Sequence, residues 1–333
     1  MRVVALSAML MLLTLTVFFT GCDHRERSAS GPTEKVTLAI AAIPDCALAL
    51  IAQARGYFHE EGVEVEVHPY RYGKPALQEV LDGKADVATA AETPVMFAVV
   101  NGRKISILAS IMTTSLTQAV VARKDRGIAD FADLRGKRIA ATLGTTTEYY
   151  LHSLLVTHGL SPKEVKVVDL KPEAVPDALA RGDIDAAASF LPYSVLAQNR
   201  LGANAKILRD PNIYRESFVV ASTPDYVRGH PGTVKKLLKA LLKAEDFVRG
   251  NPEEARRIVA ETTALPPAII RQYWDDSNFT VSLDQTLMLS LEDESAWAIR
   301  NQLTTATAVP NYLESIYLDG LQSLKPEAVR ILR

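Results

Sequence analysis

Two copies of one short pattern constrain the fold of this chain more than any other feature. A glycine that ends a helical pattern stands three residues before an aspartate that opens a short apolar run, first at Gly83 and Asp86 and again at Gly182 and Asp185. A glycine just past a helix adopts the left-handed conformation that ends it, and a short apolar run is typical of a buried strand. Both runs lead into a proline that suits the first turn of a helix. The common order predicts two lobes of one design.

Strands and helices alternate in both halves of this repeat, as they do in parallel βαβ units. The first half predicts strands at 36–43, 63–68, 86–90 and 105–112, and helices at 47–58, 75–81 and 94–102. The second half predicts strands at 138–142, 165–170 and 185–190, and helices at 146–158, 175–180 and 192–202. Two β-rich runs at 118–123 and 217–222 flank the second half and predict strands that connect the lobes.

The predicted fold class is therefore α/β, with two lobes that are each a mostly parallel sheet flanked by helices. We expect residues 35–119 and 220–333 to form lobe 1 and residues 120–219 to form lobe 2. The C-terminal part is mostly helical, and its apolar residues recur at helical spacing. Helices are predicted there at 233–249, 252–262, 266–274 and 283–303, packed on lobe 1.

The first segment resembles an export signal. A basic residue precedes an apolar run over residues 3–19, and the stretch Phe-Thr-Gly-Cys that ends at Cys22 resembles a bacterial lipobox. We expect residues 1–21 to be a lipoprotein signal peptide, Cys22 to carry the lipid and residues 22–34 to be a polar tether. The alternative is a signal anchor retained as one membrane helix. The predicted location is the periplasm or the outer face of the cell membrane, with a lipid anchor.

Several classes of function are excluded by composition and by missing motifs. The 37 basic and 39 acidic residues give a formal charge of −2, which does not suit a protein that neutralises nucleic-acid phosphates. The six histidines have no metal-binding spacing, so no metal site is predicted. Catalytic-serine and nucleotide-binding motifs are missing too, so we predict no catalytic residues, no enzyme activity and no cofactor.

Cys46 begins a predicted helix, and the pKa of a thiol can fall at such a position. No histidine lies near Cys46 in sequence, which favours a small buried residue over a nucleophile.

Ligands of parallel α/β sheets lie beyond the carboxyl ends of the strands. Four loops are therefore predicted to converge on one cleft, at 43–46, 91–94, 144–148 and 190–193. The loop with three successive threonines offers free backbone N–H groups, hydroxyls and the positive end of a helix dipole. Capping of the helix by one threonine is the simpler alternative. The candidate ligand-binding residues are Asp45, Cys46, Glu92, Thr93, Thr145, Thr146, Thr147, Phe190 and Tyr193.

The charges of these loops predict a ligand with a positive end. None of the four loops contains lysine or arginine, whereas Asp45, Glu92 and Glu148 lie in or beside them. Carboxylates that face an anion in a partly dry cleft repel it more strongly than surface charges do. We expect an amine or amidine-like end, alone or in a zwitterion, or an aminopyrimidine. Phe190, Tyr193 and Tyr149 are available to stack on a cation or ring. For Glu148, an outward-facing cap is the alternative.

Several motifs resemble the solute-binding proteins of ABC importers for nitrate, sulfonates, bicarbonate and taurine. They are DCAL at 45–48, ARGYFHEEGV at 54–63, LRGKRIA at 134–140, GTTT at 144–147, GDIDA at 182–186 and NPEEA at 251–255. The resemblance covers residues 35–300 and implies a type II periplasmic-binding-protein fold, a Venus flytrap that closes on a small solute. It also implies an ABC permease as membrane partner, near which a lipid anchor would keep the receptor concentrated. We expect a monomer.

Two other functions fit the same resemblance. A lipoprotein of this type can present its bound ligand to a sensor in the membrane. A pyrimidine-synthesis branch of the superfamily uses the same two-lobed shell as an enzyme, and the resemblance implies that an enzyme of that branch needs a cysteine-rich iron-binding motif. The mature chain would keep Cys46 as its one unmodified thiol, so the motif is missing and transport is favoured.

Overall fold

The computed structural model describes residues 34–332. The predicted signal peptide, the lipidation site Cys22 and nearly all of the predicted tether lie outside the described residues. Within the described part of the chain, none of the helices combines the length and the apolar character that crossing a membrane requires.

Thirteen strands are present among these residues. They are β1 Glu34–Ala41, β2 Val63–Tyr70, β3 Val87–Ala91, β4 Ser106–Thr114, β5 Ala119–Arg123, β6 Arg138–Ala141, β7 Lys166–Asp169, β8 Ala186–Ser189, β9 Ala205–Leu208, β10 Glu216–Ser222, β11 Ser277–Asn278, β12 Leu283–Asp284 and β13 Val329–Arg330.

Thirteen α-helices accompany them in the same part of the chain. They are α1 Ala47–Ala54, α2 Tyr57–Glu60, α3 Gly73–Leu81, α4 Glu92–Val100, α5 Thr146–Thr157, α6 Val175–Arg181, α7 Tyr193–Leu201, α8 Pro224–Gly229, α9 Pro231–Gly250, α10 Pro252–Thr263, α11 Pro267–Trp274, α12 Gln285–Arg300 and α13 Leu318–Gln322.

Eleven of the strands form two mixed sheets with the same internal order, which confirms the predicted two-lobed α/β fold, and β12 pairs with β13 in a separate two-stranded sheet. The six-stranded sheet runs β2-β1-β3-β10-β4-β11, and the five-stranded sheet runs β7-β6-β8-β5-β9. The first three strands of each sheet pair in parallel. The fourth strand, β10 or β5, arrives from the other sheet and pairs antiparallel with both neighbours. We call the parts around these sheets the large lobe and the small lobe; the lobe boundaries given above stay a prediction.

The repeated aspartate links two neighbouring parallel strands in each lobe, β1 to β3 in the large lobe and β6 to β8 in the small lobe. In the large lobe, Asp86 accepts a hydrogen bond from the Thr37 N–H through its carboxylate (2.8 Å) and donates its own N–H to the Thr37 carbonyl (3.0 Å). In the small lobe, Asp185 makes the same two contacts with Arg138, at 2.9 and 2.8 Å. The glycines of the two patterns have φ angles of 71° and 79°, as a helix end of this kind requires. The pattern thus specifies strand pairing.

The cores follow from the alternation of side chains along the strands. In the small lobe, Val120 and Ala122 of β5 pack into one apolar cluster, whereas Val121 packs into a second cluster on the other face of the sheet. Successive side chains of a strand point to opposite faces, so the small-lobe sheet is covered on both sides. The C-terminal helices join the core of the large lobe, where α9 and α10 pack against α1.

Most predicted helices differ from the observed ones by one or two residues at an end, and in two of them the difference has a clear physical reason. The helix predicted at 47–58 is divided into α1 and α2, because Gly56 takes the left-handed conformation with a φ of 74°. The helix predicted at 283–303 begins later, at Gln285. Asp284 caps it, since its carboxylate accepts a hydrogen bond from the Leu287 N–H (3.2 Å).

A Gly73→Ala substitution should destabilise the large lobe, because α3 begins in close contact with β3. A Cβ atom at Gly73 would lie 2.7 Å from the Ala90 Cα, which belongs to the backbone of a buried strand. We expect the free energy of unfolding, measured by urea denaturation, to fall by about 1–3 kcal/mol. Gly232→Ala in α9 is the control, because nothing lies within 4 Å of its added Cβ. An equal effect of both substitutions would contradict the packing argument.

Candidate functional site

A cavity lies between the two lobes, beyond the carboxyl ends of their parallel strands. The space between its lining atoms is about 300 Å³, part of it open to solvent, and residues of both lobes line it. Four of the predicted ligand-binding residues line it: Asp45, Thr145, Thr146 and Phe190. The other five, which are Cys46, Glu92, Thr93, Thr147 and Tyr193, lie outside this lining. The structure therefore brings four of the nine predicted residues to the cavity, and hydrogen bonds explain where the side chains of the others lie.

Asp45 is a buried carboxyl that faces the cavity without a hydrogen-bond donor for one of its oxygens. It lies in a short turn, Pro44–Cys46, that follows β1, and it is 2% exposed. Within the described residues, its Oδ2 atom accepts no hydrogen bond of good geometry, although the buried Tyr273 hydroxyl lies near enough to lower its pKa. Burial raises the pKa of Asp45 well above its ordinary value, and the nearby carboxyl of Glu216 raises it further. A buried carboxyl of this kind is costly to ionise unless a bound group compensates it.

Glu216 is a second carboxyl of the cavity lining, at the point where the chain returns to the large lobe. It accepts hydrogen bonds from the Thr117 hydroxyl (2.7 Å) and from the Gln118 side-chain amide (3.0 Å), both in the segment that leaves the large lobe. The same Gln118 amide donates to the Thr146 hydroxyl at the start of α5 (3.1 Å). Burial raises the pKa of Glu216, and the bonds from Gln118 and Thr117 oppose that rise. Glu216, in the segment that returns to the large lobe, is thus bound to the segment that leaves it, and Gln118 extends this network to α5 of the small lobe.

The three threonines divide their roles between the cavity and the turn. The Thr145 hydroxyl donates to the Thr142 carbonyl (2.6 Å), and the Thr147 hydroxyl accepts from the Thr142 N–H (3.0 Å). The two hydroxyls also share a hydrogen bond of 2.9 Å. Thr147 therefore holds the turn before α5, whereas Thr145 and Thr146 reach the cavity lining.

Glu92 turns away from the cavity into a buried acid pair with Glu294. Both side chains are fully buried, and the Tyr214 hydroxyl lies between them, donating to Glu92 Oε1 and standing 3.3 Å from Glu294 Oε1. Burial raises the pKa of Glu294 to about 8, and it raises the pKa of Glu92, which the charge of Glu294 raises further. Thr93, next in the chain, is equally buried. The sequence predicts Glu92 and Thr93 as ligand-binding residues, whereas the structure buries both away from the cavity lining.

Three further residues beside the cavity have structural partners. The Cys46 thiol donates to the Thr89 hydroxyl (3.1 Å), and burial raises its pKa, which is the opposite of what a nucleophilic thiol needs. The Tyr193 hydroxyl donates to the Arg71 carbonyl of the other lobe (3.2 Å). Glu148 accepts from the Gly144 N–H (2.6 Å), so its carboxylate supports its own turn, as the capping alternative expects.

Sequence reasoning missed a fifth loop and the connecting segments. Tyr72 and Lys74 follow β2 and line the cavity, and the rule that identified the other four loops applies to this one as well. Glu216 and Phe218 line it too, but no local signal marks them, because their position depends on how the chain crosses between lobes. Among residues 34–332, no group of three or more His, Cys, Asp or Glu side chains is arranged to hold a metal ion.

Solved structures share this architecture at low sequence identity. The alkanesulfonate-binding protein SsuA from Xanthomonas axonopodis pv. citri, bound to MOPS, matches with a TM-score of 0.75 at 17% identity, covering 86% of this chain and 99% of that one. The periplasmic nitrate-binding protein NrtA from Synechocystis PCC 6803 matches with a TM-score of 0.68 at 18% identity, covering 88% and 89%. The protein therefore has the two-lobed fold of the periplasmic binding proteins.

The chain belongs to the NMT1/THI5-like family, whose profile matches residues 43–255. The taurine-binding periplasmic protein of Escherichia coli (strain K12) is 30% identical over 217 residues, which are 62% of this chain and 64% of that protein. The match thus spans slightly less than two thirds of the length of that relative.

Proposed function

We propose that this protein is an extracytoplasmic solute-binding lipoprotein that delivers a small solute to the permease of an ABC importer. The fold supports this proposal, because two lobes that enclose a small cavity can close around a solute by a hinge motion. Membership of a family with a taurine-binding periplasmic relative supports it further. Cys22 is proposed as the lipid attachment site and the lipid as the membrane anchor.

We infer that the solute carries an amine or another cationic end, as in an amino-sulfonate or an aminopyrimidine. One observation carries this inference: Asp45 and Glu216 are both buried in the cavity lining, and one Asp45 oxygen lacks a donor. An ammonium group supplies both the missing donors and the compensating charge. A bare anion would instead face two buried carboxyls, where water screens charges less than it does at the surface. Phe190 and Tyr72 line the same cavity and are available to contact the solute.

A thermal-shift panel tests this function directly. It comprises alkyl sulfonates, nitrate, bicarbonate, taurine, simple amines and aminopyrimidines. A compound present at about 100 times its dissociation constant should stabilise the protein by about 2.7 kcal/mol, which raises the melting temperature. We expect amine-bearing compounds to give the largest rise.

Stabilisation by nitrate or an alkyl sulfonate, with no response to any amine-bearing compound, would refute the proposed cationic end. Turnover of a bound compound would instead support the enzyme alternative. Permease and ATPase genes beside this gene would support transport, whereas a sensor kinase gene would support signalling.

A further inference from the structure

The two lobes also meet outside the cavity lining, at a contact of aromatic rings. Tyr214 packs in the small-lobe core, and Tyr149 of α5 meets it edge-on with 5.3 Å between the ring centroids. Tyr149 also meets Trp297 of α12, in the large-lobe core, at 5.1 Å. Trp297 is 3% exposed, so rings from the small lobe help to keep water away from its indole. We call these three residues the aromatic contact.

The acid pair of Glu92 and Glu294 lies beside the aromatic contact, and both carboxyls belong to the large lobe. The Tyr214 hydroxyl donates to Glu92 from the small-lobe side, so the acid pair takes part in the contact between the lobes. In the described part of the chain, Oε2 of each carboxyl accepts no hydrogen bond of good geometry, although the buried Thr93 hydroxyl lies near enough to lower the pKa of Glu294. Two buried carboxyls with so few donors are costly to ionise together, so the packed lobes favour retention of a proton by the pair.

The other titratable groups that face the acid pair are acidic or phenolic. They come from β10 and the segment before it, from α5, from α12 itself and from the turn at 312–315, and they are Glu216, Asp293, Tyr149, Tyr214 and Tyr312. Burial is the largest cause of the raised pKa of Glu92 and of Glu294, and the charge of Glu216 raises both further. The neighbouring charges therefore oppose ionisation of the pair, as burial does.

Two basic side chains, His152 of α5 and Arg300 of α12, line a groove beside Trp297. Burial lowers the pKa of His152, and the charge of Arg300 lowers it further. His152 is therefore neutral where the acid pair loses its proton, and an arginine stays charged throughout that range. The change in charge at this contact comes from the carboxyls.

We propose that Glu92, Glu294 and Tyr214 form a proton-binding site that is complete only when the lobes are closed, so that closure takes up a proton from the solvent. Opening of the hinge withdraws Tyr214 and Tyr149 from the large lobe and admits water to the two carboxyls. This inference goes beyond the proposed function, because it describes the empty protein and requires no particular solute. It makes the closed form more stable in mildly acidic surroundings.

The direction of the pH effect follows from the two surroundings of Glu294. In the closed form its pKa is about 8, whereas water around an open acid pair returns the pKa towards the ordinary value of 4.5. Because the closed form binds the proton more tightly, closure is favoured at low pH and loses this advantage as the pH rises towards 8. We expect the ratio of closed to open protein to fall by at least about tenfold between about pH 6 and about pH 8.

Acrylamide quenching of Trp297 fluorescence tests this inference without any solute. The chain has two tryptophans, and a Trp274→Phe background isolates Trp297. Because opening exposes the indole that the small-lobe rings cover, the quenching constant should rise from about pH 6 to about pH 8. Glu294→Gln should abolish most of this rise, because glutamine copies the protonated carboxyl at both pH values. Asp45→Asn, which removes a buried carboxyl of the cavity instead, is the matched control and should keep the rise.

A quenching constant that does not change with pH would overturn this inference, as would a rise that persists in Glu294→Gln or one that disappears in Asp45→Asn alone. Tyr214→Phe removes the hydroxyl that crosses between the lobes, so its rise should begin at a lower pH than in the unmodified chain. An unchanged midpoint would overturn the role of Tyr214.

Thermal melts check that each variant folds. If Trp274→Phe does not, the protein with both tryptophans gives the same comparison, because Trp274 lies in the large-lobe core and is 7% exposed. No solute is added, so the thermal-shift panel and this experiment succeed or fail independently.

Discussion

An Asp45→Asn protein is expected to lose its amine-ended solute almost completely, while its empty form becomes more stable than the unmodified protein. Removal of one partner of a buried charge pair leaves the other uncompensated, so the affinity for the amine-bearing compound should fall by about 100-fold or more. Titration calorimetry measures this loss. Glu148→Gln is the control, because that carboxylate is bound to the Gly144 N–H and lies outside the cavity lining.

The gain in stability follows from the sign of the pKa shift at Asp45. Its pKa is higher in the folded protein than in the unfolded chain, mainly because of burial, so the carboxyl costs stability as the pH rises above its ordinary value. Asparagine removes that cost, and we expect a gain of about 1–3 kcal/mol at neutral pH that vanishes in acid. Urea denaturation at about pH 4 and about pH 7 gives both values. Unchanged affinity in the variant would show that Asp45 does not hold the solute.

The acid pair of Glu92 and Glu294 should make the empty protein less stable as the pH rises through neutrality. The pKa of Glu294 is raised from 4.5 to about 8 in the folded state, so stability is present at low pH and is lost between these values. Replacement of Glu294 by glutamine removes this titration. We expect the variant to be more stable than the unmodified protein by roughly 2–4 kcal/mol at about pH 8, with little difference at about pH 4.

A Tyr214→Phe substitution tests the hydrogen bond to the acid pair separately from packing, because it removes the hydroxyl and keeps the ring. Its ring packs in the small-lobe core and meets Tyr149 edge-on at 5.3 Å between centroids, whereas its hydroxyl reaches the acid pair of the large lobe. Tyr214→Phe should lower the free energy of unfolding by about 1–3 kcal/mol, because the buried carboxyls lose their donor. Asp293→Asn, at an exposed position of α12, is the control.

If the Glu294→Gln protein kept the pH dependence of the unmodified chain, the titration would belong to other groups.

Much of the fold was predictable because the relevant information is local. Side-chain periodicity marks which face of a strand or helix is buried, and the glycine and aspartate of the repeat determine where a helix ends and which strands pair. The same rules placed Asp45, Thr145, Thr146 and Phe190 in loops at strand ends, which line the cavity. Lys74 was within reach of that reasoning, since its loop also follows a parallel strand.

Only the tertiary structure decided the orientation of those buried carboxyl side chains whose hydrogen-bond partners are distant in sequence. Glu92 stands at a strand end like Asp45, yet its side chain turns inward because Tyr214, 122 residues further on, donates to it there. Glu216 enters the cavity because the second connecting segment returns beside the first, where Thr117 and Gln118 bind its carboxylate. By itself the sequence determined most of the strands, helices and loop positions, since these depend on local conformation and apolar spacing, whereas β9, α8 and α13 were not predicted. The direction in which a buried charged side chain points depends on the hydrogen bonds that it can form there. Only the packed lobes bring those hydrogen-bond partners together.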